Sequence, residues 1–423
     1  MIPSYIKTRF GLLVLLLLTG KSLLGQQKNE FQKDFDFLYQ ELQKTPSYAD
    51  QITGEKKTAY QNLYAKLKAQ PVAPTALDTF YNLSKLLWPI KDKHLAFYQN
   101  YNRDIDFKTL QTPGFIRDYR TSPTFKSFPR VKLNLDSLES SLAKKATGSV
   151  EGIYVIGDVA KIGIYRTLRK DSLVGVLLSS KLQTWDRGQL FSILIQTSPN
   201  SFRTVYCDLA TKAFRYVEND KLTNGQFHHY DLKKLNIVSY ANFRSNDAYI
   251  FNTLEPNIQY LHLGSFNGSP ENLKIAKAFY NRIKDTLTAP NLIVDLRGNI
   301  GGAAKCANQF FALLKNYSEK GKVFVLINGM VISMGERFAL RLKPIKNIKL
   351  FGETTNGMIA YGNNDGYSPV LPSGRFKLYP TNMPDEAGLL QYEEVGVEPH
   401  VFLNNKSDWI KQLKVIIRRT TVN

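Results

Sequence analysis

The chain has few residues of the kinds that usually announce a metal site or a disulfide framework: two cysteines and five histidines in 423 residues. Two cysteines are too few for a disulfide scaffold, even in an oxidising compartment. Cys207 and Cys306 fall in segments assigned below to different domains, so they read as two unpaired, mostly buried thiols. Neither lies near a cluster of other metal-ligating residue types, so the sequence predicts no metal site and no cofactor. Acids are scarce too, 36 against 56 Lys and Arg, for a net charge of +20. No basic run interleaves with aromatics, which argues against nucleic acid as the partner and for lysines spread over a solvated surface.

Long apolar runs are confined to the start. Lys7 and Arg9 precede an apolar stretch from Phe10 to Leu18, and polar sequence begins at Gln26, the layout of a secretory signal over residues 1–25. The run is shorter than the roughly 20 residues that span a bilayer. Removing Lys7, Arg9 and Lys21 with no acid takes the charge from +20 to +17. The expected mature protein is exported, periplasmic or extracellular, and has no integral membrane span. Its oligomeric state is left open.

Hydrophobic 43% and aromatic 12% content allows a sizeable core in two or three domains. From residue 26 to about 100, apolar residues recur at helix spacing (Phe31, Phe35, Phe37, Leu38, Leu42, then Tyr60, Leu63, Tyr64, Leu67, then Phe80, Leu83, Leu86, Leu87), predicting a small helical bundle whose last helix stops at Pro89. Residues 101–145 hold Pro113, Pro123 and Pro129 with weak periodicity and read as a wrapping connector. Residues 146–232 switch to short alternating strands, the pattern of a small β barrel or sandwich. From 233 to 423, strands such as Ile258–Leu263, Leu292–Leu296 and Val323–Ile327 alternate with helices near Leu273–Asp285, Ala303–Leu314 and Met334–Leu342, predicting an α/β core with the site at its strand ends. The expected fold class is thus multidomain α+β.

Several motifs bear on chemistry. Ser333, in Val331-Ile332-Ser333-Met334-Gly335-Glu336, follows a strand and opens a helix, whose unpaired N–H groups and partial positive charge suit an oxyanion. Ser333-x-x-Glu336 is equally a capping box, the commoner explanation for four such residues. Asp295-Leu296-Arg297-Gly298-Asn299-Ile300-Gly301-Gly302 follows a buried strand, and its glycines allow close backbone approach to a ligand. It lacks the endings of nucleotide loops. Gly352-Glu353-Thr354-Thr355-Asn356-Gly357 and Glu393-Glu394-Val395-Gly396-Val397-Glu398-Pro399 come later, and Asp92-Lys93-His94 closes the helical segment.

In this order the motifs resemble the tail-specific (C-terminal processing) protease family, peptidase family S41, over about residues 235–402. The Asp92-Lys93-His94 segment is similar to the tricorn-like branch. The resemblance implies a crotonase-like core and a serine peptidase acting on peptide or protein substrates through an acyl-enzyme. In the processing-protease branch a lysine base follows the Gly-Glu-x-Thr-x-Gly motif; here that position is Met358. The tricorn-like assignment implies Ser333 as nucleophile, His94 as general base and Glu393 as the carboxylate supporting it. It further implies an oxyanion hole from the amides of Gly301 or Gly302 and of Met334. The branch often has a serine beside the histidine, whereas His94 is flanked by Lys93 and Leu95. The family often carries a PDZ domain where this chain has its β-rich module, and no carboxylate-binding glycine loop is found there. Of the other histidines, His228-His229 reads as a surface pair, His262 lies in a strand, and His400 follows Pro399. The competing readings are a catalytically inactive scaffold of the same family that binds peptides or envelope polymers, and a structural envelope protein.

Overall fold

The computed structural model describes residues 30–421 apart from 72, 74, 102–108, 244 and 386. The expected leader at 1–25 lies outside these residues. The chain opens with four helices, α1 (30–43), α2 (Pro46–Gln51), α3 (Glu55–Lys68) and α4 (Ala76–Ser84). The predicted stripe is the buried one: Phe31, Phe35, Leu38 and Leu42 all face inward. Thr45 and Thr75 start α2 and α4 by accepting the N–H groups of Tyr48 and Asp78 on their hydroxyls. The last helix ends at Ser84, before Pro89. Leu86 and Leu87 then donate to the carbonyls of Leu83 and Ser84, so the helix tightens into turns ahead of the proline.

Strand β1 (Ala96–Gln99) follows, and then the expected connector. It carries more helix than its weak periodicity suggested: α5 (Pro113–Thr121), α6 (Pro123–Lys126) and α7 (Leu135–Ala143). Two of the prolines sit at helix starts, where a missing N–H costs nothing.

Eight strands then form a barrel: β2 (Gly152–Ile156), β3 (Ala160–Arg166), β4 (Ser172–Ser180), β5 (Leu190–Ser198), β6 (Ser201–Cys207), β7 (Phe214–Thr223), β8 (Gln226–Phe227) and β9 (Leu232–Lys234). Their order is β7-β6-β5-β4-β3-β2-β9-β8, and β8 pairs back onto β7, which closes the ring. The module is therefore a barrel and no sandwich. One continuous apolar core links its interior residues, such as Phe191, Tyr206 and Phe227, to Phe35, Phe80 and Leu83 of the helices. Both cysteines are free and buried.

The remainder is a layered α/β unit: β10 (Tyr249–Glu255), β11 (Ile258–Leu263), α8 (Pro270–Ile283), β12 (Asn291–Asp295), α9 (Ala304–Tyr317), β13 (Lys322–Ile327), α10 (Met334–Leu342), β14 (Ile348–Gly352), β15 (Phe376–Tyr379), β16 (Val401–Phe402) and α11 (Trp409–Thr421). The sheet order is β10-β11-β12-β13-β14-β16, parallel from β11 onward. Strand alternation divides its two faces. Leu292, Val294, Val323, Val325 and Ile327 pack with α8, α9 and α10, whereas Ile293, Phe324 and Leu326 pack with Trp409, Leu413 and Ile417 of α11. Burial on both sides explains why these strands read as unbroken apolar runs. Strand β15 leaves this sheet and pairs with β1, which also touches β7. The residues just after His94 are thereby clamped between barrel and core.

Candidate active site

Ser333 stands between the end of β13 and the first turn of α10, with φ +53° and ψ −122°. That conformation is costly for a residue with a Cβ and is kept only where the surroundings enforce it. Three contacts enforce it here. The Ser333 N–H donates to Met358 O at 2.8 Å, the Ile332 N–H donates to Asn299 O at 3.1 Å, and Gly301 lies against the turn. A Cβ on Gly301 would sit 2.9 Å from Ser333 Cβ and 2.7 Å from Met334 N, so only glycine fits, and its φ of +85° agrees.

The two glycines of this loop differ in what their amides do. Gly301 N–H is taken by Asn299 Oδ1 at 2.8 Å. Among the described residues, the N–H groups of Gly302 and Met334 have no protein acceptor. Gly302 is exposed and Met334 partly so. Of the expected oxyanion donors, Gly302 and Met334 remain available, and Gly301 does not.

Glu336 is fully buried and does far more than a helix cap. Its carboxylate accepts from Ser333 N at 3.2 Å, Gly357 N at 2.7 Å, Met358 N at 2.8 Å and Thr355 Oγ1 at 2.5 Å. One side chain thus welds the serine turn to the loop 355–358. Burial pushes its carboxyl up to about 7, against the pull of these donors. Met358 joins this network through its backbone, its N–H on Glu336 and its carbonyl on Ser333 N.

The same loop continues to His94. Ile359 N and Ala360 N donate to Glu393 Oε2 at 2.9 and 2.8 Å, while Arg337, one turn into α10, donates to their carbonyls at 2.9 Å each. The other Glu393 oxygen accepts the Lys93 N–H at 2.7 Å. Asp92 accepts the amides of His94 and Leu95 and the hydroxyl of Thr381, so the turn carrying His94 is held from both sides. Burial, with the positive charges of Arg337 and Lys93, lowers the His94 pKa to about 4. Among the described residues, neither ring nitrogen of His94 has a hydrogen-bond partner, and Nδ1 is buried. Glu393 therefore grips the backbone beside His94 and makes no bond to its imidazole.

In the sequence Lys93 stands out only as a neighbour of His94. Its Nζ donates to Asn356 O at 2.9 Å and to Asn219 O at 3.3 Å, which ties the loop after β14 to the middle of β7. No local periodicity signals this; the hint is a lysine inside a short motif between two elements. The pair His228-His229 also departs from expectation. His228 is buried 3.2 Å from Glu353, and a Cβ on Gly329 would meet its ring at 2.6 Å, while His229 is exposed as predicted. Closure of β8 onto β7 turns His228 inward. His262 is in its strand, with Nδ1 3.0 Å from Asp295 O, and His400 Nδ1 accepts from Leu350 N.

No family model matches the sequence, and no curated protein matches it. Solved structures do. The tricorn protease matches at 13% identity over 94% of this chain and 37% of that chain, with a TM-score of 0.43. The photosystem II D1 C-terminal processing protease matches at 13% identity over 89% and 94%, TM-score 0.36. A putative peptidase from Parabacteroides merdae matches at 12% identity over 92% and 96%, TM-score 0.37. All three carry a protease or peptidase description.

Proposed function

We propose that this chain is an exported serine peptidase of the tricorn-like type, cleaving peptide bonds through an acyl-enzyme. Ser333 is the nucleophile and His94 the general base. Gly302 and Met334 N–H form the oxyanion hole. The observation that carries this reading is the serine itself, held at φ +53° on a strand-to-helix turn beside two unpaired amides. Such donors act where negative charge develops in the tetrahedral intermediate. A linked set of contacts supports the choice of base: Ser333 to Met358, Ile359 and Ala360 to Glu393, and Glu393 to the residue before His94. A neutral imidazole with free nitrogens accepts the serine proton and returns it to the leaving amine. Glu393 is a positioning residue, acting through backbone rather than as a partner of the ring. No helix among the described residues is long and apolar enough to cross a membrane, and export rests on the leader.

A second reading, an inactive scaffold that binds peptides, is favoured by one observation: His94 lacks the carboxylate partner that would raise its basicity. Hydrolysis decides between them. Incubation with an unfolded protein such as casein is expected to release discrete fragments, and Ser333→Ala to release none. Equal fragment patterns from both proteins would overturn the peptidase reading.

A further inference from the structure

A second feature lies on the same edge of the sheet. A cleft of about 600 Å³ opens at the ends of β11 and β12, lined by Phe243, Asp247, His262, Ser265, Arg297 and Gly298 among others. Its two lining loops continue into the serine turn. Phe266 N donates to Gly301 O at 3.1 Å, Gly302 bridges to Phe266, and Gly301 rests on Ser333.

The cleft holds one imidazole acceptor that no described protein group occupies. His262 is only 3% exposed. Its Nδ1 lies 3.0 Å from Asp295 O, a contact that requires the proton on Nδ1 and leaves Nε2 as an acceptor. Among the described residues Nε2 has no hydrogen-bond partner. Gly264 keeps the approach open: a Cβ there would stand 2.5 Å from Nε2, while its backbone has no conformation that demands glycine. The absence of a side chain at 264 therefore has a spatial reason. Phe243 packs edge-on against the ring at 4.7 Å and fixes its tilt.

Charge decides what would enter. The Arg297 guanidinium is neutralised by Asp295, with Nε at 3.0 Å and Nη2 at 2.6 Å, and gives a third bond to Tyr240 O. Asp247 is exposed on the rim and makes no ion pair among the described residues. Among the described residues the cleft thus presents a neutral nitrogen acceptor and one carboxylate without an ion-pair partner. Both call for a charged hydrogen-bond donor.

We infer that this cleft is a subsite for a basic side chain of the peptide substrate, an ammonium or guanidinium bound by His262 Nε2 and Asp247. The inference rests on the peptidase reading for its purpose, and its test is binding without turnover. The Ser333→Ala protein is titrated with fluorescent peptides in which a single lysine is moved through eight positions, each against a norleucine control. At one position lysine is expected to bind about tenfold tighter, the equivalent of roughly 1.4 kcal/mol, with a preference that shrinks at high salt. Asp247→Asn, an exposed change that does not threaten folding, should remove most of that preference and leave norleucine binding unchanged. His262→Leu should act likewise. Equal binding of lysine and norleucine peptides at every position, failure of all peptides to bind, or a preference that survives Asp247→Asn would overturn the subsite. Whether Ser333 itself is reactive is decided separately by covalent labelling, so the two failures are distinguishable.

Discussion

The carboxylate of Glu393 accepts the backbone N–H of Lys93 at 2.7 Å across 300 residues of sequence. With its other oxygen it holds Ile359 and Ala360. Glu393→Ala would leave three donors without an acceptor in a buried place, and hydrogen bonds to a charged group contribute about 1.5–3 kcal/mol each. The expected result is a loss of several kcal/mol in denaturant unfolding together with loss of activity. Glu393→Gln keeps one acceptor oxygen and should fall between. If Glu393 acted chiefly on the imidazole, Glu393→Ala would abolish activity with unfolding unchanged.

Ser333 carries backbone strain that glycine would not. Ser333→Gly should stabilise the protein by about 1–3 kcal/mol relative to Ser333→Ala, while both are inactive. Thermal unfolding of the two variants checks this. Equal melting temperatures would mean that the turn is relaxed as it stands.

Gly302 has φ +133°, and a Cβ there would lie 2.1 Å from Phe266 O. Gly302→Ala must displace the loop, and with it one of the two free amides. Loss of one oxyanion donor typically costs about 10²–10³ in kcat. Steady-state hydrolysis should show that drop with KM changed much less.

The pH dependence follows from His94. Its native pKa of about 4 lies below the ordinary 6.5, because burial and the charges of Arg337 and Lys93 disfavour the imidazolium. The unfolded chain therefore binds the proton more readily between those values, so this group's contribution to stability is complete above pH 6.5 and is lost as pH falls towards 4. Activity should hold its plateau down to about pH 5 and bend near 4. Glu336, raised to about 7 by burial, acts in the opposite sense, favouring the fold at low pH and losing that contribution as pH rises through 7. Lys93→Met removes a neighbouring positive charge and should move the acid limb upward. An acid limb already at 6.5 in the parent protein would contradict the assignment.

Much of this architecture was legible because its signals are local. The start of α10 at Met334 follows from a strand, a turn and an amphipathic run; Phe31, Phe35, Leu38 and Leu42 announce a buried helical face. The order of motifs singles out Ser333, His94 and Glu393 through the family resemblance it carries, and their roles belong to the proposal. What stayed hidden depends on contacts between distant segments. That Gly301 spends its amide on Asn299, leaving Gly302, is decided by loop conformation. Lys93 looks like a flanking residue until β7 and the loop after β14 converge on its Nζ. His228 looks like surface until the loop after β14 brings Glu353 to within 3.2 Å of it.

The central claim is that Ser333 is an activated nucleophile served by His94. Its most direct test is reaction of the purified protein with a fluorophosphonate probe, followed by mass spectrometry of the labelled peptide, alongside Ser333→Ala and His94→Ala. The account predicts a single adduct on Ser333, no adduct in Ser333→Ala, and labelling slowed by at least about a hundredfold in His94→Ala. Labelling at equal rate in all three proteins, or none in the parent, would contradict it.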